Sequence, residues 1–80
     1  MTAKKIPLEK GFDRNGQVIK ELTMREPTVE DQLSAQEGNK SAARAEVALI
    51  ANLCEATPQE VSSLSLKDYG KVQDAYADFT

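Results

Sequence analysis

The apolar residues of this chain change their spacing at Pro27, and that change limits the possible folds more than any other feature. Ahead of Pro27, Ile6 and Leu8, then Val18, Leu22 and Met24, fall at even separations, the period of strands with one covered face. Beyond it, apolar residues recur every three or four positions, the period of helices. A chain of 80 residues makes one domain at most, and at that size only about 60–65% of the unfolded surface is buried. The expected fold is α+β: a single domain, 1–80, with an N-terminal β-hairpin over residues 6–25 packed against three to four short helices over residues 28–79.

Asp13-Arg14-Asn15-Gly16-Gln17 supplies the hairpin turn. A two-residue loop at Asn15-Gly16 would set Leu8 opposite Thr23 and put the apolar sets on opposite faces. A three-residue loop, Arg14-Asn15-Gly16, with Gly16 left-handed in a bulge, sets Leu8 opposite Leu22, Ile6 opposite Met24 and Phe12 opposite Val18. That register is expected, although it also faces Lys10 with Lys20, a like-charge pair. Pro7 has no amide hydrogen, so the first strand should be an edge.

Thr28 opens the first helix as its cap, with Asp31 at the third position, and Val29, Leu33 and Gln36 form a short inward stripe. Gly38-Asn39 should stop it. The second helix, Ser41 to Glu55, has the strongest pattern: Ala43, Val47, Ile50 and Cys54 recur at helical spacing, and Leu49 and Leu53 widen the stripe. Ile50 and Leu53 should therefore be central to the core. Thr57-Pro58-Gln59-Glu60 combines a Thr cap, Pro at the first helical position and Glu at the third, which starts a short helix to about Ser63. A last helix from Leu66 to about Asp78 carries Leu66, Tyr69, Val72 or Gln73, Tyr76 and Phe79 along one side, with Lys67, Lys71 and Asp74 outward.

Composition narrows the chemistry. There is no histidine, which removes His-ligated zinc, His-based triads and the commonest acid–base group near neutral pH. The single cysteine, Cys54, lies in an apolar segment and reads as a small buried hydrophobe. No carboxylates fall in a calcium-loop pattern. The chain is therefore read as no enzyme, with no catalytic, metal or cofactor-binding residues and no cofactor. No apolar run approaches a membrane span, and Met1 to Pro7 has no apolar stretch of the signal-peptide kind. Residues 1–27 carry six basic and four acidic side chains, whereas residues 28–80 carry four basic and nine acidic ones. An acidic helical half repels phosphate. The segment from Pro58 to Asp68 has helix–turn–helix spacing, but Leu66-Lys67-Asp68-Tyr69 is poorly equipped to read base edges.

What remains is protein binding. Three of the four aromatics, Tyr69, Tyr76 and Phe79, share a face of the last helix, and aromatic residues serve interfaces as well as cores. Phe79 has little chain beyond it to bury it, so these three are the candidate partner-binding residues. Asp68 beside Tyr69 could suggest an acid–base pair, but adjacent helical residues diverge by about 100°. Asp68 is read instead as favouring the helix N-terminus.

Leu22-Thr23-Met24-Arg25-Glu26-Pro27-Thr28-Val29-Glu30-Asp31 resembles the "L-x-L-R-E-P-T-x-x-D" segment of the small tail assembly chaperones of Mu-like and related contractile-tailed phages and prophages. The second half is similar too: Leu49 to Cys54, then Thr57-Pro58-Gln59-Glu60-Val61, then Leu64 to Tyr69. The similarity spans about residues 6–79, with Met24 where Leu is usual and Gln59 where Glu is usual. The resemblance implies a non-enzymatic protein in the cytoplasm of the bacterial host. Its implied partner is the tape-measure protein, coated until tail-tube subunits replace the chaperone, with the tail-tube protein as a second candidate partner and self-association left open. The competing expectation is a small antitoxin-like or DNA-binding regulator.

Overall fold

The computed structural model describes residues 3–38 and 41–80. Two antiparallel strands, β1 (Ala3–Arg14) and β2 (Gln17–Arg25), precede four helices: α1 (Val29–Ala35), α2 (Ala42–Leu53), α3 (Pro58–Ser62) and α4 (Leu66–Phe79). The α+β expectation holds. β1 carries α3 and α4, while α2 packs on α1, α3 and β2.

The hairpin turn differs from the expected one. Arg14 pairs with Gln17, so the loop is the two residues Asn15 and Gly16, both with positive φ (53° and 84°), as a type I′ turn requires. The parity problem is solved further along. Pairing runs Phe12↔Ile19 and then Pro7↔Glu21, so Leu8, Glu9, Lys10 and Gly11 on β1 lie opposite Lys20 alone. Three extra residues on β1, an odd number, return the apolar sets to a shared face. The register is slid by two from the expected one: Ile6 opposes Leu22 and Lys4 opposes Met24. Val18 opposes Asp13 rather than Phe12 and is exposed, and Ile19 takes the covered place. Lys10 and Lys20 are not a register pair, because pairing is interrupted between Pro7 and Phe12.

Each helix starts as its residues dictate. Thr28 and Thr57 cap α1 and α3, each in a reciprocal capping box with Asp31 and Glu60 at the third position. Ser41 and Ser65 cap α2 and α4 by accepting from the amides of Arg44 and Asp68. α1 ends at Ala35, with Gly38 left-handed just beyond (φ 86°); Asn39, the other half of the expected stop, lies outside the described residues. Glu55, at φ 54°, closes α2.

The core joins Ile6, Leu8, Phe12, Leu22 and Met24 of the hairpin to Leu49, Ile50 and Leu53 of α2, with Val61, Leu64 and Val72. Ile50 and Leu53 are fully buried, and so is Val72. Two expected stripes are rotated. Val29 (74% exposed) and Leu33 (58%) point outward from α1, whose buried residues are Asp31 and Ala35. Leu66 is 89% exposed, because α4 turns Asp68 and Val72 inward. In both helices a polar anchor sets the roll, as described below.

Gly11 has φ 74°, and a Cβ there would lie 2.1 Å from the Ile19 carbonyl oxygen, whereas nothing lies within 4 Å of a Cβ at Gly16 (φ 84°). Gly16→Ala should cost about 1–2 kcal/mol, the penalty of a left-handed alanine. Gly11→Ala should cost distinctly more, because the bulge must also move. Urea unfolding of both variants checks this, as it does Ile50→Ala, expected to lose about 2–5 kcal/mol.

Candidate functional site

The geometry of the helical face is set by three carboxylates, all at the third position of a helix. Asp68 at the start of α4 is fully buried. Its Oδ1 accepts from the amide of Glu9 (2.8 Å), and its Oδ2 from those of Lys10 and Gly11 (both 3.0 Å). The bulge of β1 thus turns three successive N–H groups onto one carboxylate. Glu60 of α3 takes a two-pronged contact from Arg14 at the hairpin tip (2.8 and 2.9 Å) while keeping its capping bond to Thr57. Asp31 of α1 takes the same kind of contact from Arg25 at the hairpin base (2.7 Å twice), plus bonds from Thr28 and from Asn52 of α2. Arg14 also lies over the Phe12 ring, 5.3 Å from its centre. Tip, bulge and base of the hairpin are each tied to one helix N-terminus, where the helix dipole also favours negative charge.

These ties make the carboxyls acidic. The Arg25 contact holds Asp31 well below the usual carboxylate range. The Arg14 contact lowers Glu60 to about 2, and the amides of Glu9 and Gly11 lower Asp68 to about 2. Burial of Cys54 pushes its thiol up to about 11, which is the behaviour of a packing residue and not of a nucleophile.

With α4 rolled by Asp68, its aromatic residues divide. All three are partly buried against the core. Tyr69 donates to Glu46 Oε1 of α2 (2.5 Å), which also accepts from Gln73 (2.9 Å), and burial followed by this bond raises the phenol above its ordinary range. Tyr76 turns to the same side, lining a groove between α1 and α2. Phe79 lies on the β1 side, under the Lys4 ammonium at 5.7 Å from the ring centre, and Lys4 reaches Asp78 at 3.6 Å. The structure therefore brings Tyr69 and Tyr76 to one side and sets Phe79 apart from them.

Two grooves flank this side. The larger, about 570 Å³, has a floor of Ala35, Ala45, Leu49 and Tyr76 and a rim of Gln32 and Glu46. The smaller, about 290 Å³, lies on the other flank of α2 among Ala43, Val47, Leu66 and Tyr69, with Arg44 at its edge. Both are lined mainly by side chains that offer contact rather than chemistry. Among the described residues, no group of three or more acidic or cysteine side chains is placed to hold a metal ion, and no helix is long and apolar enough to cross a membrane.

Residues 5–80 match the family model described as phage tail assembly chaperone proteins, E, or 41 or 14. The chain belongs to this family. The similarity that begins at the hairpin and continues through the capping segments of α1, α3 and α4 is thus a family relationship. No curated protein and no solved structure matches the chain. The chaperone family points to a role in tail assembly through contact with tail proteins rather than through a reaction.

Reading the residues alone missed Asp68 as the anchor of the hairpin. The available signal was Gly11, a glycine inside a strand pattern, which marks a bulge or a close approach. Because all three carboxyls are more acidic folded than unfolded, their contribution to stability is complete above roughly pH 5 and is lost as the pH falls toward 2. Acid titration followed by circular dichroism should show that loss over this range. Asp68→Asn, which faces bulge amides with an NH₂ group, should lower the melting temperature at pH 7 and flatten the acid limb. A variant as stable as wild type at both pH values would show that the bulge does not depend on the carboxylate.

Proposed function

We propose that this tail assembly chaperone binds the tape-measure protein in the cytoplasm of the bacterial host, keeps its apolar helical surface covered, and yields it to tail-tube subunits without catalysing a reaction. The observation that carries this reading is the family match over nearly the whole chain. The geometry is compatible: an acidic domain of net charge −3 presents a groove with an apolar floor and a polar rim, and long exposed apolar stripes aggregate unless covered. The partner-binding residues are proposed to be Tyr69, Tyr76 and Phe79, with Tyr76 at the centre because it faces the larger groove.

A DNA-binding regulator is disfavoured by a specific contact. The opening of α4, which a helix–turn–helix would place in the major groove, is packed on β1, with Asp68 buried there and Lys67 paired to Glu9 at 3.1 Å.

Co-expression with the tape-measure protein should yield a complex that survives affinity purification and keeps the tape-measure protein in the soluble fraction. Tyr76→Ala should weaken binding by about 2 kcal/mol, roughly thirtyfold, as at an aromatic hot spot. Phe79→Ala should weaken it less with little change in melting temperature, and Tyr69→Ala should lower both through loss of its bond to Glu46. A tape-measure protein that is equally soluble without the chaperone and does not co-purify with it would remove this function.

A further inference from the structure

We infer that the groove between α1, α2 and Tyr76 docks an amphipathic helix of the tail partner, apolar along one face and carrying a lysine or arginine on its flank. The inference rests on the tail-chaperone reading and specifies where the partner sits and what chemistry it presents.

Shape is the first argument. Ala35 and Ala45 floor the groove with the smallest side chains, beside Leu49 and the Tyr76 ring. Small residues at a contact let a second helix come close, and an amphipathic helix lying in such a groove is a recurrent mode of recognition. The α1 surface beside the groove supplies the second argument. Val29 and Leu33 are neighbours at a spacing of four on α1, and both are mostly exposed. Neither lines the groove itself, since Leu33 diverges from Gln32 at the rim by about 100°; they give α1 an apolar surface beside its mouth. The tie of Asp31 to Arg25 and Asn52 holds α1 in the roll that presents them.

Charge selects the occupant. Glu46 is the charged residue of the groove, and both of its bonds to α4, from Tyr69 and from Gln73, end on Oε1. A basic side chain on the incoming helix can meet this carboxylate with favourable Coulomb energy. A second copy of this chain suits the groove poorly, since its helices come from a segment with nine acidic and four basic residues. The smaller groove has the opposite sign at its edge, Arg44.

The test is titration of overlapping peptides, one set covering the tape-measure protein and another the tail-tube protein, into wild type, Ala45→Lys, Glu46→Gln and Ala43→Lys, with melting temperatures measured in parallel. Ala45→Lys, which places a bulky cation in the groove, should lose about tenfold or more in affinity. Glu46→Gln keeps an acceptor for Tyr69 and should lose a few-fold, with a weaker dependence on salt. Ala43→Lys, on the other flank of α2, should bind as wild type. Should Ala45→Lys lower the melting temperature, Gln32→Lys on the exposed rim serves the same purpose. This pattern with tail-tube peptides alone would keep the groove and remove the tape-measure reading. Equal binding of tape-measure peptides by all variants, or loss at Ala43→Lys alone, would overturn the groove while leaving that reading intact. Wild type binding neither set would overturn both.

Discussion

One buried carboxylate organises the contact between the two halves of this protein. A strand bulge with three extra residues leaves backbone amides without ladder partners, and unsatisfied buried amides are costly. Asp68 resolves this by accepting from three of them, and the bonds in turn keep its charge stable out of water. The bulge and the last helix are therefore mutually dependent. Without Asp68 the extra residues of β1 would have no reason to stay in this arrangement, and without the bulge the carboxylate would be a buried charge with no partner.

The other two ties repeat the logic with half-exposed arginines. Arg14 on Glu60 and Arg25 on Asp31 are two-pronged contacts, whose geometry fixes orientation as well as distance. Each uses a carboxylate that is also engaged in a capping box, so the acceptor is held by its own helix as well as by the arginine. The hairpin is thus fastened along one side of the helical layer, and the opposite side, where α1, α2 and the tyrosines of α4 meet, is left with open grooves.

Much of this was legible in the residues. The change of period at Pro27, the capping boxes at Thr28 and Thr57, and the apolar face of α2 each follow from local rules that tertiary context did not override. The hairpin register was not legible, because parity offered two solutions, a longer loop or a two-residue turn with a compensating bulge. Only a partner for the bulge amides decides between them, and that partner lies more than fifty residues away. Val29, Leu33 and Leu66 were misplaced for a related reason. In a helix of seven residues such as α1, a stripe of two apolar residues is outweighed by one well-bonded carboxylate, so Asp31 sets the roll. The aromatic stripe of α4 was visible, but its division between the α2 side and the β1 side depends on the same effect at Asp68.

The separation between bulge and anchor also shapes how the chain matures on the ribosome. The hairpin is made first and can close quickly from local contacts, yet Asp68 follows Glu9 by 59 positions. Synthesis at about 5–20 residues per second leaves the nascent hairpin waiting for seconds with its bulge amides in water and its apolar face uncovered. Closure of the native fold is a long-range event, and in this interval a member of a chaperone family is itself a chain in need of shielding.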